Sequence, residues 1–219
     1  ITKGDVQFFF YNSDFGGIAS YCPNSRKVFE PHGVDSNSIQ GQWLKGELNR
    51  STAKFKIVVS HYPPYFSFPY DYDTTTIVNC LGSPYRLNMK VDTLFKPLRM
   101  PYKSWGADMV LNGHTHCGEL LEVDGLKYYI QLSGGAPLGN WFANRNPHSK
   151  FFYKSDFGAT LAKVQGDSIN FELKSLSNIS QYQFSIAPQK SIRIKAKVRA
   201  GQDTITARLR LKEFPHGVV

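Results

Sequence analysis

The chain has 219 residues, 41% hydrophobic and 20% charged, a balance that excludes a disordered chain and suits one sizeable domain with at most a small appendage. Aromatic residues reach 14%, with 16 Phe and 12 Tyr, which favours a strand-rich fold with buried rings. The formal net charge of +9 is largely local: from Lys190 onward eight Lys and Arg stand against two acids, so the basic character belongs to the tail more than to the domain.

In chain order, Val6 to Asn12 (VQFFFYN) reads as a short strand, and residues 14 to 34, rich in Gly, Pro, Asn and Ser, read as a long loop. Ser36 or Asp35 is placed to cap a helix from about Asn37 to Asn49, with Ile39, Trp43, Leu44 and Leu48 at helical spacing. Phe55 to Ser60 (FKIVVS) is a β-branched run, a buried strand that stops at His61. Residues 62 to 85 are dense in Pro, Tyr and Asp and read as a long irregular segment; loops of that length in compact domains tend to be functional. A helix is expected from about Met89 to Leu98, then a strand over Asp108 to Leu111, then strands near Leu120 to Val123, Tyr128 to Leu132, Thr160 to Val164 and Ile169 to Leu173.

The end of the chain changes character. Ile192, Ile194, Ala196 and Val198 alternate with Arg193, Lys195, Lys197 and Arg199, and the alternation resumes after Gly201. This is the period-two pattern of a hairpin with one apolar and one basic face. A domain over 1–177 and a small β appendage over 178–219 are therefore expected. The basic face suits an anionic partner, or a solvated surface whose alternating Lys and Arg discourage edge pairing.

No apolar run is long enough to span a membrane. Cys22, Cys80 and Cys117 are too few for a disulfide framework. Asn49-Arg50-Ser51 and Asn178-Ile179-Ser180 match the glycosylation acceptor pattern and tilt the compartment slightly toward secreted or lumenal. The opening residues, ITKGDVQFFFYNSD, have neither an initiator Met nor a signal-peptide layout, and the expectation is of a chain that begins mid-domain, through processing or as part of a longer polypeptide.

Chemistry concentrates in three histidines. His114 and His116 sit two apart in VLNGHTHCG, directly after an apolar strand, and His61 ends another strand in IVVSHYPPY. Two neighbouring strand ends that deliver three imidazoles to one rim make a metal-site pattern, and in open sheets ligands lie beyond the carboxyl ends of the strands. Each histidine alone reads as an ordinary polar residue; the combination is what points to a metal.

FKIVVSHYPPY followed by WGADMVLNGHTHCGELLEV resembles the last two motif blocks of the calcineurin-like metallophosphoesterases, the superfamily that includes the purple acid phosphatases. The resemblance is to the C-terminal half of that domain, over about residues 4 to 176, and takes in GDVQFFFYNSD, SIQGQWLKGEL, YYIQLSGGAPL and DFGATLAKVQGDSINFELKS. It implies an α/β fold of two packed β-sheets flanked by helices. It also implies hydrolysis of phosphate esters at a dinuclear centre of Fe, Zn or Mn, with His61 and His114 on one ion and His116 on the other. The family's upstream Asp-x-His, metal-binding Gly-Asp and Gly-Asn-His blocks are not in this sequence; Gly4-Asp5 leads into a strand and reads as a turn that binds no metal. The missing ligands are expected upstream of this sequence, in the same polypeptide or a separate fragment. The alternative is a non-catalytic structural or binding module that keeps the fold.

Other residues read more plainly. His32 and His148 lie in loops and are expected to be solvated, Cys117 reads as a buried structural thiol, and Tyr62 and Tyr65 either line the substrate mouth or pack on the loop. Asp71 and Asp73 are paired acids in the long segment, with a solvated loop favoured over a calcium or substrate role.

Overall fold

A computed structural model of the chain describes residues 1–14, 32–67, 75–79, 86–90, 95–138 and 145–189. The chain divides into two compact units, Ile1–Gln189 and Lys190–Val219. Every strand and helix among the described residues belongs to the first. The second, with the expected basic hairpin, lies outside the described residues, as do Asp71, Asp73, Cys22 and Cys80.

The first unit is an α/β sandwich of two packed sheets. Seven strands form the larger one. Across the sheet they run β1 Thr2–Lys3, β2 Val6–Phe10, β3 Phe55–Val59, β6 Met109–Asn112, β8 Leu126–Ile130, β7 Gly118–Val123 and β9 Ser149–Tyr153. The central strands β2, β3, β6 and β8 are parallel, with Val6 opposite Phe55, Ile57 opposite Met109 and Met109 opposite Lys127. The smaller sheet is antiparallel, in the order β10 Gly158–Gln165, β11 Ser168–Ser175, β12 Ser180–Ile186. A separate hairpin pairs β4 Thr75–Asn79 with β5 Arg86–Lys90.

Alternation along the central strands explains the sandwich. Val6, Phe55, Ile57, Met109, Leu120 and Tyr129 point to one face and form a core with Ile169, Phe171 and Ile186 of the smaller sheet. Phe9, Val58, Val110, Leu121, Tyr128 and Ile130 point to the other, where they meet Leu44 and Leu48 of helix α1, Ile39–Arg50. Strands covered on both faces read as continuous apolar runs, which is why FKIVV and DMVLN stand out in the sequence. Leu44 and Leu48 are fully buried, each worth about 1.5–3 kcal/mol relative to exposure.

Local differences from the sequence reading have physical causes. The helix is capped by Ser38, whose Oγ accepts from Gly41 N at 3.0 Å, while Asp35 instead builds the preceding turn by accepting from Asn37 N and Ser38 N. Its buried stripe is Gly41, Leu44 and Leu48, and Ile39 and Trp43 remain exposed. No side chain fits at Gly41, because a Cβ there would come within 2.1 Å of Asp35 O. Of the helix expected over Met89–Leu98, Met89 lies instead in β5, Phe95 is helical and Lys96–Leu98 follows as a 3-10 turn with Pro97 in its first positions, while 91–94 lie outside the described residues. A short apolar run does not distinguish helix from strand by spacing alone, and here pairing with β4 decides. β12 continues the smaller sheet past the composition shift at residue 178.

Candidate metal centre

Neighbouring parallel strands deliver the site. β3 ends at Val59 and β6 at Asn112, so His61 and the His114–His116 turn emerge side by side at the carboxyl end of the sheet. Gly113 N donates to His61 O at 3.0 Å and ties the two turns together. The His114 and His61 rings stand edge to face with centroids 5.1 Å apart, and His114 Nδ1 lies 3.3 Å from His61 Nε2. Tyr62 flanks the pair, its ring 4.1 Å from that of His114.

The backbone of the turn is strained to make this arrangement. His114 and His116 both adopt left-handed conformations, φ 75° and 57°, which cost energy for residues with a Cβ and cluster where a side chain is held for a task. His116 Nδ1 lies 2.8 Å from Pro137 O. A carbonyl only accepts, so Nδ1 carries the hydrogen and Nε2 keeps its lone pair, the usual state of an imidazole poised to bind a metal.

Electrostatics favour neutral imidazole at the centre. Burial of the His114 ring against its neighbours, followed by repulsion from His61 and then His116, lowers its pKa to about 4. His114 as a residue is exposed, and the burial behind this shift comes from the packing of its ring against His61 and Tyr62. A cleft of about 650 Å³ opens beside His61, floored by the ends of β2, β3 and β6 and lined in part by Asn12, Gln40 and Gln131.

The other candidates are placed less suggestively. Cys117 is buried against Thr115, and burial pushes its thiol up to about 12, so it packs as a thiol and offers no thiolate. His32 and His148 are exposed. Asp5 is exposed in the β1–β2 turn, at the end of β2 opposite to the histidines. Tyr65 packs inward on Tyr128, with Arg99 over its ring. Among the described residues no group of three or more His, Cys, Asp and Glu is arranged to hold a metal by itself.

Two buried polar residues escaped the sequence reading. Asn112 is 4% exposed and binds the backbone on either side of His61. Glu119 is wholly buried and accepts from Ser67 N and Ser67 Oγ. The available signal was a polar residue terminating or interrupting an apolar strand, in DMVLN and GELLEV.

Residues 3–118, which include all three histidines, match the calcineurin-like phosphoesterase family. That is more than half of the chain, and the protein belongs to this family. Two solved structures share its fold. One is GAP50, the anchor in the inner membrane complex of Plasmodium, at 19% identity and TM-score 0.53, covering 84% of this chain and 50% of that one. The other is purple acid phosphatase PPD1 from yellow lupin (Lupinus luteus) seeds, at 14% identity and TM-score 0.58, covering 85% of this chain and 32% of that one. The chain thus spans half the length of the first and about a third of the second. No curated protein matches it significantly in sequence.

Proposed function

We propose that this chain contributes the histidine side of a metal-dependent phosphoesterase centre, with His61 and His114 holding one cation and His116 a second. The observation that carries the reading is the 3.3 Å between His114 Nδ1 and His61 Nε2. Two imidazole nitrogens at about 2.0–2.1 Å from one tetrahedral ion stand about 3.3 Å apart, so the spacing fits ligands that share an ion. The depressed proton affinity of His114 and the His116–Pro137 contact support it, since both leave lone pairs free. Neutral imidazoles suit Zn, Fe or Mn alike. When bound, such cations supply Lewis acidity, charge neutralisation on a phosphate ester and an acidified water. The protein's own part is to hold the three imidazoles aimed and, at His114, to disfavour protonation, and Tyr62 packs on the His114 ring.

Carboxylate ligands would come from polypeptide outside this sequence. β10 offers a place for it: this eight-residue edge strand leaves Val164 41% exposed, and with Thr160 and Ala162 that residue lines an apolar cleft of about 400 Å³ between the sheets. An added strand along β10 would close that cleft. The test is elemental analysis and a generic phosphate-ester assay on the native protein with all co-purifying chains retained. Stoichiometric metal and hydrolysis, both lost in His114→Ala, is the expected result; full activity in that variant would sink the proposal.

A second reading, a non-catalytic module on the same fold, is favoured by the absence of a complete metal cluster among the described residues and by the likeness to an anchor protein. Its contacts would be made by the basic segment after Lys190. It predicts no hydrolysis, and binding to an anionic partner that weakens steeply with salt.

A further inference from the structure

Asn112 ends β6 two residues before His114, and its amide is fixed in orientation. Nδ2 faces three oxygens, Ser60 O at 3.1 Å, Ser60 Oγ at 2.8 Å and Tyr62 O at 3.4 Å. With Gly113 N on His61 O, the carbonyls of residues 60, 61 and 62 are all held by the end of β6. Oδ1 therefore points the other way. It is buried with no hydrogen-bond partner, the single side-chain atom in that condition among the described residues. Such a group costs about 1–3 kcal/mol and calls for an explanation.

The complementary donor lies in the neighbouring turn. His61 presents Nε2 to His114, which leaves Nδ1 as its second ring nitrogen. Nδ1 lies on the side of Gly113, the residue after Asn112, 3.6 Å from where a Cβ on Gly113 would stand, and makes no hydrogen bond among the described residues. An imidazole that offers Nε2 as a lone pair must carry its hydrogen on Nδ1, and that N–H needs an acceptor.

We propose that Asn112 is the positioning residue for His61: Nδ2 fixes the backbone beneath it, and Oδ1 is the acceptor reserved for His61 Nδ1–H, which keeps the Nε2 lone pair aimed at His114. The amide is locked, so the imidazole is the part that turns to close the bond. The consequence for metal affinity rests on the metal reading above; the tautomer does not.

The experiment uses the chain labelled with ¹⁵N at histidine, with long-range ¹H–¹⁵N spectra of metal-free protein followed by Zn²⁺ titration. Wild type is expected to show His61 with its hydrogen on Nδ1. Asn112→Asp, which keeps an acceptor, should preserve that tautomer, and Asn112→Ala should lose it and bind Zn²⁺ about 10–100-fold more weakly, the usual range for such partners. A wild-type His61 carrying its hydrogen on Nε2 overturns the proposal without any variant having to fold. So does an Asn112→Ala chain that binds Zn²⁺ within about twofold of wild type, well short of that range. The Nδ1–H tautomer without Zn²⁺ binding would support the role of Asn112 and count against the metal reading instead.

Discussion

Replacing Glu119 tests how the loop after His61 is anchored. Its carboxylate sits in β7 with no exposed surface, accepting from Ser67 N at 2.8 Å and from Ser67 Oγ, and Ser67 Oγ in turn accepts from Asn146 N at 2.9 Å. The network joins the segment that follows His61 to the residues leading into β9. A hydrogen bond to a charged group is worth about 1.5–3 kcal/mol, and Glu119→Ala removes the two from Ser67 and the one with Ser149 while stranding a buried N–H and hydroxyl. Relief from burying a charge offsets part of that loss, which leaves about 3 kcal/mol of destabilisation. Glu119→Gln, able to serve one donor but not both, should cost about half as much. Urea unfolding of the purified chain reads both values, and a cycle with Ser67→Ala should return a coupling of about 1–3 kcal/mol. The pH dependence has a definite sign. Burial raises the Glu119 pKa against the opposing pull of the Ser67 and Ser149 hydrogen bonds and Arg145. The folded state therefore holds this proton to higher pH than the unfolded chain, and the advantage of Glu over Gln is largest in acid and shrinks as pH rises through the folded value. A Glu119→Ala chain within about 0.5 kcal/mol of wild type, less than one ordinary hydrogen bond, would refute the reasoning.

Three further results are expected. Gly41→Ala should destabilise by about 1–3 kcal/mol despite alanine's better helix propensity, because its Cβ would drive into Asp35 O; a more stable variant in thermal melts would contradict the turn geometry. Metal-free protein should lose stability as pH falls from about 6.5 toward 4, because the unfolded chain protonates the residue-114 imidazole in a window where the folded one resists. His114→Asn should flatten that part of the stability–pH curve, and an unchanged curve would argue against the packed ring. Leu48→Ala should cost about 2–5 kcal/mol, read by denaturant unfolding, because the side chain is fully buried between α1 and the larger sheet; a loss under about 1 kcal/mol would misplace the helix.

Legibility in the sequence followed burial symmetry. Strands β3 and β6, apolar on both faces, and the amphipathic helix were readable because local pattern and tertiary role agree there. That His61, His114 and His116 follow the ends of neighbouring strands was readable because each turn comes directly after an apolar run, FKIVV or DMVLN. Strands β4, β5 and β9 were not: β4 and β5 lie in or beside a segment dense in Pro, Tyr and Asp and pair only with each other, and β9 is set by its pairing with β7, distant in sequence. The cap at Ser38 was missed because three candidate residues crowd the same turn. Asn112 and Glu119 were invisible for a different reason: a polar residue in an apolar strand shows that a partner is needed there, and only the fold reveals which.

The central claim is that His61 and His114 share one cation. A double-mutant cycle on Zn²⁺ affinity, with His61→Ala, His114→Ala and the double variant measured by competition titration, addresses it most directly. Ligands of one ion should be strongly non-additive, so that after the first substitution the second costs at least about tenfold less than it does alone. Independent, additive losses, or Zn²⁺ affinity indifferent to both substitutions, would contradict the shared centre that the 3.3 Å approach implies.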